Sequence, residues 1–108
     1  MAGISTDYMI TAAHFDEDGT RLRYVFIGIP PENPSMTVDG ICLYRREQLI
    51  AALESGRRFC IAYRMNGEWN YEGYISLVHC NGDVYIRGDQ ELVPIDDLGN
   101  LAKIRSSH

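Results

Sequence analysis

The sequence predicts an α+β domain: a mainly antiparallel sheet of about five strands, opened by an N-terminal hairpin and closed by a C-terminal meander, with one packed α-helix. Several short segments alternate apolar and polar residues with the period of two that a half-buried strand requires. Two Asn-Gly pairs, Asn66-Gly67 and Asn81-Gly82, separate such segments and favour tight hairpins, because both residues tolerate positive φ. Only one stretch, Tyr44 to Ser55, carries helical spacing.

Tyr8 to Phe15 reads as the first strand, rich in β-formers and followed by the acidic turn Asp16-Glu17-Asp18-Gly19. Thr20 to Ile29 returns as the second. In it Leu22, Tyr24 and Phe26 alternate with Val25, Ile27 and Ile29, so both faces of its later half are apolar. That pattern suits a strand covered on both sides, or covered on one side by a partner subunit. Pro30-Pro31-Glu32-Asn33-Pro34-Ser35 lacks three backbone donors and is a stiff surface loop. In the helix, Leu49, Ile50 and Leu53 form the apolar stripe and Gly56 supplies the stop. Arg45 and Arg46 sit at its N-terminus, where the helix dipole disfavours cations. Arg58 to Met65 alternates cleanly, and the two Asn-Gly turns carry the chain through Trp69 to Val78 and then Val84 to Arg87. In the tail, Asp96 is expected to cap a short turn that docks Leu98 and Leu101 on the sheet. Ser106-Ser107-His108 is expected to fray.

The 108 residues make one domain, 1–108, with an ordered core over about 8–104, long enough to bury roughly two thirds of its unfolded surface without staples. Seven Tyr, three Phe and one Trp are too many for a disordered chain. No apolar run approaches the roughly twenty residues of a membrane span, and the N-terminus lacks the marks of a secretion signal, so a cytoplasmic location is expected. Cys42, Cys60 and Cys80 fit neither a disulfide framework nor a zinc ribbon and read as free thiols. The formal charge of -5 makes nucleic acid a disfavoured partner on average, although nine of the ten cations are Arg, the residue suited to planar bidentate contacts.

Candidate chemistry is sparse. Cys60, His79 and Cys80 are the only Cys/His group that strand pairing could assemble, and they offer at most three zinc ligands, with His79 and Cys80 on opposite faces of one strand. A Cys–His nucleophile, with or without His14, meets the same geometric objection. The Asp16-Glu17-Asp18-Gly19 turn resembles the start of a calcium loop but lacks the later ligands, Arg21 and Arg23 following instead. No nucleophile elbow or phosphate-cradling loop is present, so no catalytic residue, metal ligand or cofactor is assigned. The remaining pattern interleaves Arg21, Arg23, Arg58, Arg64 and Arg87 with Tyr24, Tyr63, Trp69, Tyr71, Tyr74 and Tyr85. Within it Arg58, Arg64, Trp69, Tyr71, Tyr74 and Arg87 form the candidate binding face, of the stacking type that single-stranded nucleic acid uses. The plainer alternative buries the aromatics and pairs the arginines with Glu68, Glu72 and Asp83.

Tyr8-Met9-Ile10-Thr11-Ala12 before an acidic turn, the helix from Tyr44-Arg45-Arg46-Glu47-Gln48-Leu49-Ile50 to Glu54-Ser55-Gly56, and the closing Asp97-Leu98-Gly99-Asn100-Leu101 together resemble a family of small bacterial domains of unknown function, family 3892. The resemblance spans most of residues 8 to 101 and implies a compact bacterial α+β domain with no assigned activity. The proline loop is longer than that family pattern implies.

One helix cannot cover both faces of five strands. The exposed remainder, carrying some of Val25, Ile27, Tyr74 and Val78, is therefore expected to meet a second copy or a protein partner. The expected function is a non-enzymatic interaction module. A single-stranded nucleic-acid binder is the alternative, and a small-molecule binder, which would need His14 or His79 beside a cysteine or carboxylate, is the third reading.

Overall fold

The computed structural model describes residues 6–31, 41–89, 91–99, 101 and 103–105. Residues 32–35 of the proline loop, the N-terminal segment through Ser5 and the last three residues lie outside that set. The elements in chain order are β1 (Tyr8–Phe15), β2 (Leu22–Gly28), β3 (Cys42–Arg45), α1 (Arg46–Glu54), β4 (Phe59–Met65), β5 (Glu68–Tyr74), β6 (Ser76–Cys80), β7 (Asp83–Arg87) and β8 (Lys103–Arg105). The large sheet runs β3-β2-β1-β4-β5, and β6 and β7 form a separate hairpin. The expected α+β architecture with a sheet of about five strands and one helix is therefore present.

The pairing is mixed rather than wholly antiparallel. The β1–β2 hairpin, β2–β3 and β4–β5 are antiparallel, whereas β1 pairs in parallel with β4 through Tyr8–Ile10 and with β8 through Ala13–Phe15. The reason is the helix. Since β3 runs in the same direction as β1 and β4, α1 is the crossover that carries the chain from the β3 edge to the far side of β1, and a parallel connection needs such a crossover.

Helix α1 starts at Arg46, two residues later than its spacing suggests, because Cys42, Leu43, Tyr44 and Arg45 pair with Ile27, Phe26, Val25 and Tyr24. Its end is a Schellman cap. Gly56 at φ 95° lets the Gly56 and Arg57 amides donate to Leu53 and Ala52 carbonyls. Both Asn-Gly hairpins form as read, with φ between 54° and 79° at the four central residues.

Where the sequence suggests one meander, the chain instead divides at Ile75. Residues before it pair with β4, residues after it pair with β7, and the Ile75 amide donates to the Phe59 carbonyl at the swing point. This places the β6–β7 hairpin, α1 and the tail together over one face of the large sheet. Ile10, Ala13, Phe15, Leu22, Val25, Ile27, Phe59 and Ile61 from the sheet pack there against Leu49, Ile75, Ile86, Leu98 and Leu101. Two bulges tune this face. Arg23 is the extra residue between the Phe15–Leu22 and His14–Tyr24 pairs, so Leu22 and Val25 both turn inward despite odd spacing.

Leu98 and Leu101 dock as expected, but Asp96 does not cap a turn. It is fully buried and receives four hydrogen bonds: Leu22 N (2.7 Å) and Arg46 Nε (2.8 Å) on Oδ2, Ile86 N (2.9 Å) and Arg46 Nη2 (3.1 Å) on Oδ1. The carboxyl thus joins the tail to β2, α1 and β7. The turn itself is held by Asp97, whose Oδ1 accepts from Gly99 N at 2.8 Å. Among the described residues no helix is long and apolar enough to cross a membrane.

Candidate contact face

The second face of the large sheet is set by the same registers. Pairing of Ala12 with Phe26, His14 with Tyr24, Phe26 with Leu43 and Tyr24 with Arg45 puts these side chains on the side away from α1. On the other half, Met9 faces Cys60, which faces Tyr74; Ala62 faces Tyr71 and Arg64 faces Trp69. The described elements outside the sheet all contribute to the first core. Among the described residues the buried cluster on this second face is Met9, Cys60 and Ala62, with the half-buried rings of Trp69 and Tyr71 packed against it. The face therefore supplies its own partial cover.

What remains open is aromatic and apolar. His14 stacks on Tyr24 at 4.7 Å between centroids, and Tyr24 meets Phe26 edge-on at 5.7 Å. Phe26, Leu43 and Tyr74 keep 37%, 44% and 42% of their surface exposed, enough to be met by another molecule. Arg64 lies 5.2 Å over the Trp69 ring and donates to the Gly67 carbonyl at 2.7 Å.

Of the six residues singled out from sequence, Arg64, Trp69, Tyr71 and Tyr74 share this face. Arg58 lies exposed just before β4, where its amide donates to Asp7 Oδ2 at 2.9 Å. Arg87 is elsewhere: it is buried in β7, donates twice to Asp89 at 2.7 Å and once to the Ile95 carbonyl at 2.7 Å. The Arg87 guanidinium holds the Asp89 carboxyl down at about 2. The expected surface residues Val25, Ile27 and Val78 are buried, since bulging and the layer of α1 and β6–β7 put them inside, and only Tyr74 of that set is open. Tyr24 was visible in the aromatic pattern. Phe26, Leu43 and His14 were missed, although the even-numbered alternation of β2 carried the signal for Phe26.

The Cys and His residues singled out from sequence are not brought together. Cys60 is in the large sheet while His79 and Cys80 are in the β6–β7 hairpin, and His14 stands five positions along β1 from Met9, the residue facing Cys60. Burial pushes the Cys60 thiol up, against a weaker opposing hydrogen bond from Thr6, and so keeps it from the reactive thiolate form. In the acidic turn, Asp16 Oδ1 accepts from Thr20 N and Arg21 N, and Asp18 Oδ1 accepts from Thr20 N and Oγ1. The Thr20 hydroxyl and Asp16 lower the Asp18 carboxyl, so these oxygens already serve the hairpin. Arg21 pairs with Asp83 at 3.5 Å, one of the ion pairs anticipated from sequence. A cleft of about 180 Å³ is lined by Ile61, Glu72, Gly73, Gly88, Asp89, Asp97 and Gly99. It falls below the roughly 300 Å³ at which small-molecule sites begin, and neither histidine lines it.

No family model, curated protein or solved structure matches the chain.

Proposed function

We propose that the chain is a non-enzymatic contact module that self-associates through the open face of its large sheet. The observation behind this reading is the run of Leu43, Phe26, Tyr24 and His14 across β3, β2 and β1, continued by Tyr74, Tyr71 and Trp69 on β4's far side, on which no described helix or strand packs. An apolar and aromatic strip spanning five strands is the kind of surface that isolated domains avoid and interfaces use, since aromatic rings bring large contact area with few rotamers to freeze. Light scattering after size exclusion tests it. The wild type is expected to run as a dimer at high micromolar concentration, and Phe26→Glu as a monomer. A clean wild-type monomer at that concentration removes the reading.

A second reading is supported by Arg64 over Trp69 beside Tyr71 and Tyr74, a cation and rings arranged for base stacking. Titration of Trp69 fluorescence with single-stranded oligonucleotides at two salt concentrations separates the two. Salt-dependent quenching favours the nucleic-acid reading, and its absence the contact module.

A further inference from the structure

Between pH 5 and 8 histidine is the side chain whose charge changes without special surroundings. Of the three histidines, His79 is exposed on the β6–β7 hairpin, His108 lies outside the described residues, and His14 stands half-buried on the open face. Its ring stacks on Tyr24 with centroids 4.7 Å apart and planes 16° from parallel. On the strands around it the charges are of one sign. Arg45 of β3 is in register with Tyr24, Arg23 bulges from β2 next to that ring, and β8 sets Lys103 and Arg105 in register with Ala13 and Phe15. The carboxylates nearest in sequence belong to the turn after β1. Asp16 Oδ1 accepts from the Thr20 and Arg21 amides, Asp18 Oδ1 accepts from the Thr20 amide and hydroxyl, and Glu17 is exposed. The register pairs that make up the open face, from Leu43 to Trp69, include the cations Arg45 and Arg64 and no acid.

We propose that protonation of His14 releases the open face from its second copy, so that the contact holds at neutral pH and opens in mild acid. The proposal rests on the self-association reading and adds its regulation. Covering the face takes the imidazole out of water, and a covered imidazolium needs a compensating acid that the face does not hold, so the neutral ring associates better. The Tyr24 stack favours the cation in the separate protomer and in the assembly alike, and therefore leaves the balance where the solvent sets it. A two-fold contact repeats the imidazole once per copy, so two protons are taken up on each dissociation. The sign is distinctive. Acid also shrinks the excess negative charge of the chain, formally -5 at pH 7, which by itself favours self-contact. A dimer that loosens in mild acid runs against that trend and reports a cation gained on the contact surface.

The test is sedimentation equilibrium at about pH 7.5 and about pH 6, on either side of the ordinary imidazole titration. It compares the wild type with His14→Phe, which keeps a ring on Tyr24 but has no charge to gain, with His14→Gln, and with His79→Gln on the far hairpin. The wild-type dimer is expected to weaken by about fivefold or more at the lower pH, and His79→Gln to weaken equally. Both His14 variants are expected to hold their affinity or to tighten. A wild-type dimer of equal or greater affinity in acid, or a weakening that persists in both His14 variants, overturns the switch and leaves self-association standing. A wild-type monomer at pH 7.5 overturns both.

Discussion

The two faces of the large sheet are built from the same strands and differ in what they meet. On the inner face Ile10, Val25, Ile27, Phe59 and Ile61 are fully enclosed by α1, the β6–β7 hairpin and the tail. On the outer face Met9, Cys60 and Ala62 have the rings of Trp69 and Tyr71 packed against them, and Tyr24, Phe26, Leu43 and Tyr74 remain accessible. The difference lies in residue type as well as cover. Branched aliphatics with Phe15 and Phe59 fill the inner layer, where shape decides packing, whereas the outer layer carries Tyr, Trp and His, whose polar atoms tolerate water. Apolar content alone thus does not tell which side of a strand is core.

The inner side is expected to break hardest at Asp96. Its replacement by Ala leaves the buried Arg46 guanidinium and the Leu22 and Ile86 amides without their acceptor, a loss of about 3–5 kcal/mol in urea denaturation. Phe59→Ala removes a fully buried ring and is expected to cost about 3–5 kcal/mol by the same measurement, with the smaller end reached if Tyr8 and Tyr44 move in. On the outer side, Phe26→Ser is expected to change monomer stability by less than about 1 kcal/mol, since the ring is partly solvated already, while weakening association. The two sides separate if stability and association respond to different substitutions.

The smallest effect concerns acid. Asp89 titrates near 2 in the fold, below the ordinary 3.8, because the Arg87 guanidinium and the Glu91 amide hold its charge. A depressed folded pKa adds stability that is present above about 4 and is lost as pH falls through about 2. Asp89→Asn is therefore expected to lower stability slightly at pH above about 4, where the charged carboxylate contributes, and to flatten the decline between about 4 and 2. The check is thermal melting from pH 2 to 6.

Most local elements were legible in the sequence, since hairpin turns, strand alternation and the Gly56 stop depend on neighbours a few residues away. The parallel β1–β4 pairing was not, because it depends on where α1 crosses, and the break at Ile75 was not, because Tyr74 to Val78 keeps strand-like composition on both sides of it. The same holds for the site. Trp69, Tyr71, Tyr74 and Arg64 were found through the interleaving of arginines and aromatics along the strands. Leu43 was hidden by its nearness to the helix, and Arg87 was misplaced because an Arg on a strand says nothing about Asp89 two residues later. Arg46 drew attention for sitting against the helix dipole, but its partner, Asp96, lies fifty residues away, and no local pattern joins them.

The open face is tested most directly by recording backbone and side-chain NMR shifts across a dilution series. Concentration-dependent changes are expected at Phe26, Leu43, Tyr71 and Tyr74 while Leu49, Ile86 and Leu98 stay fixed. Shifts that ignore concentration, or that move on the α1 side instead, would contradict the account.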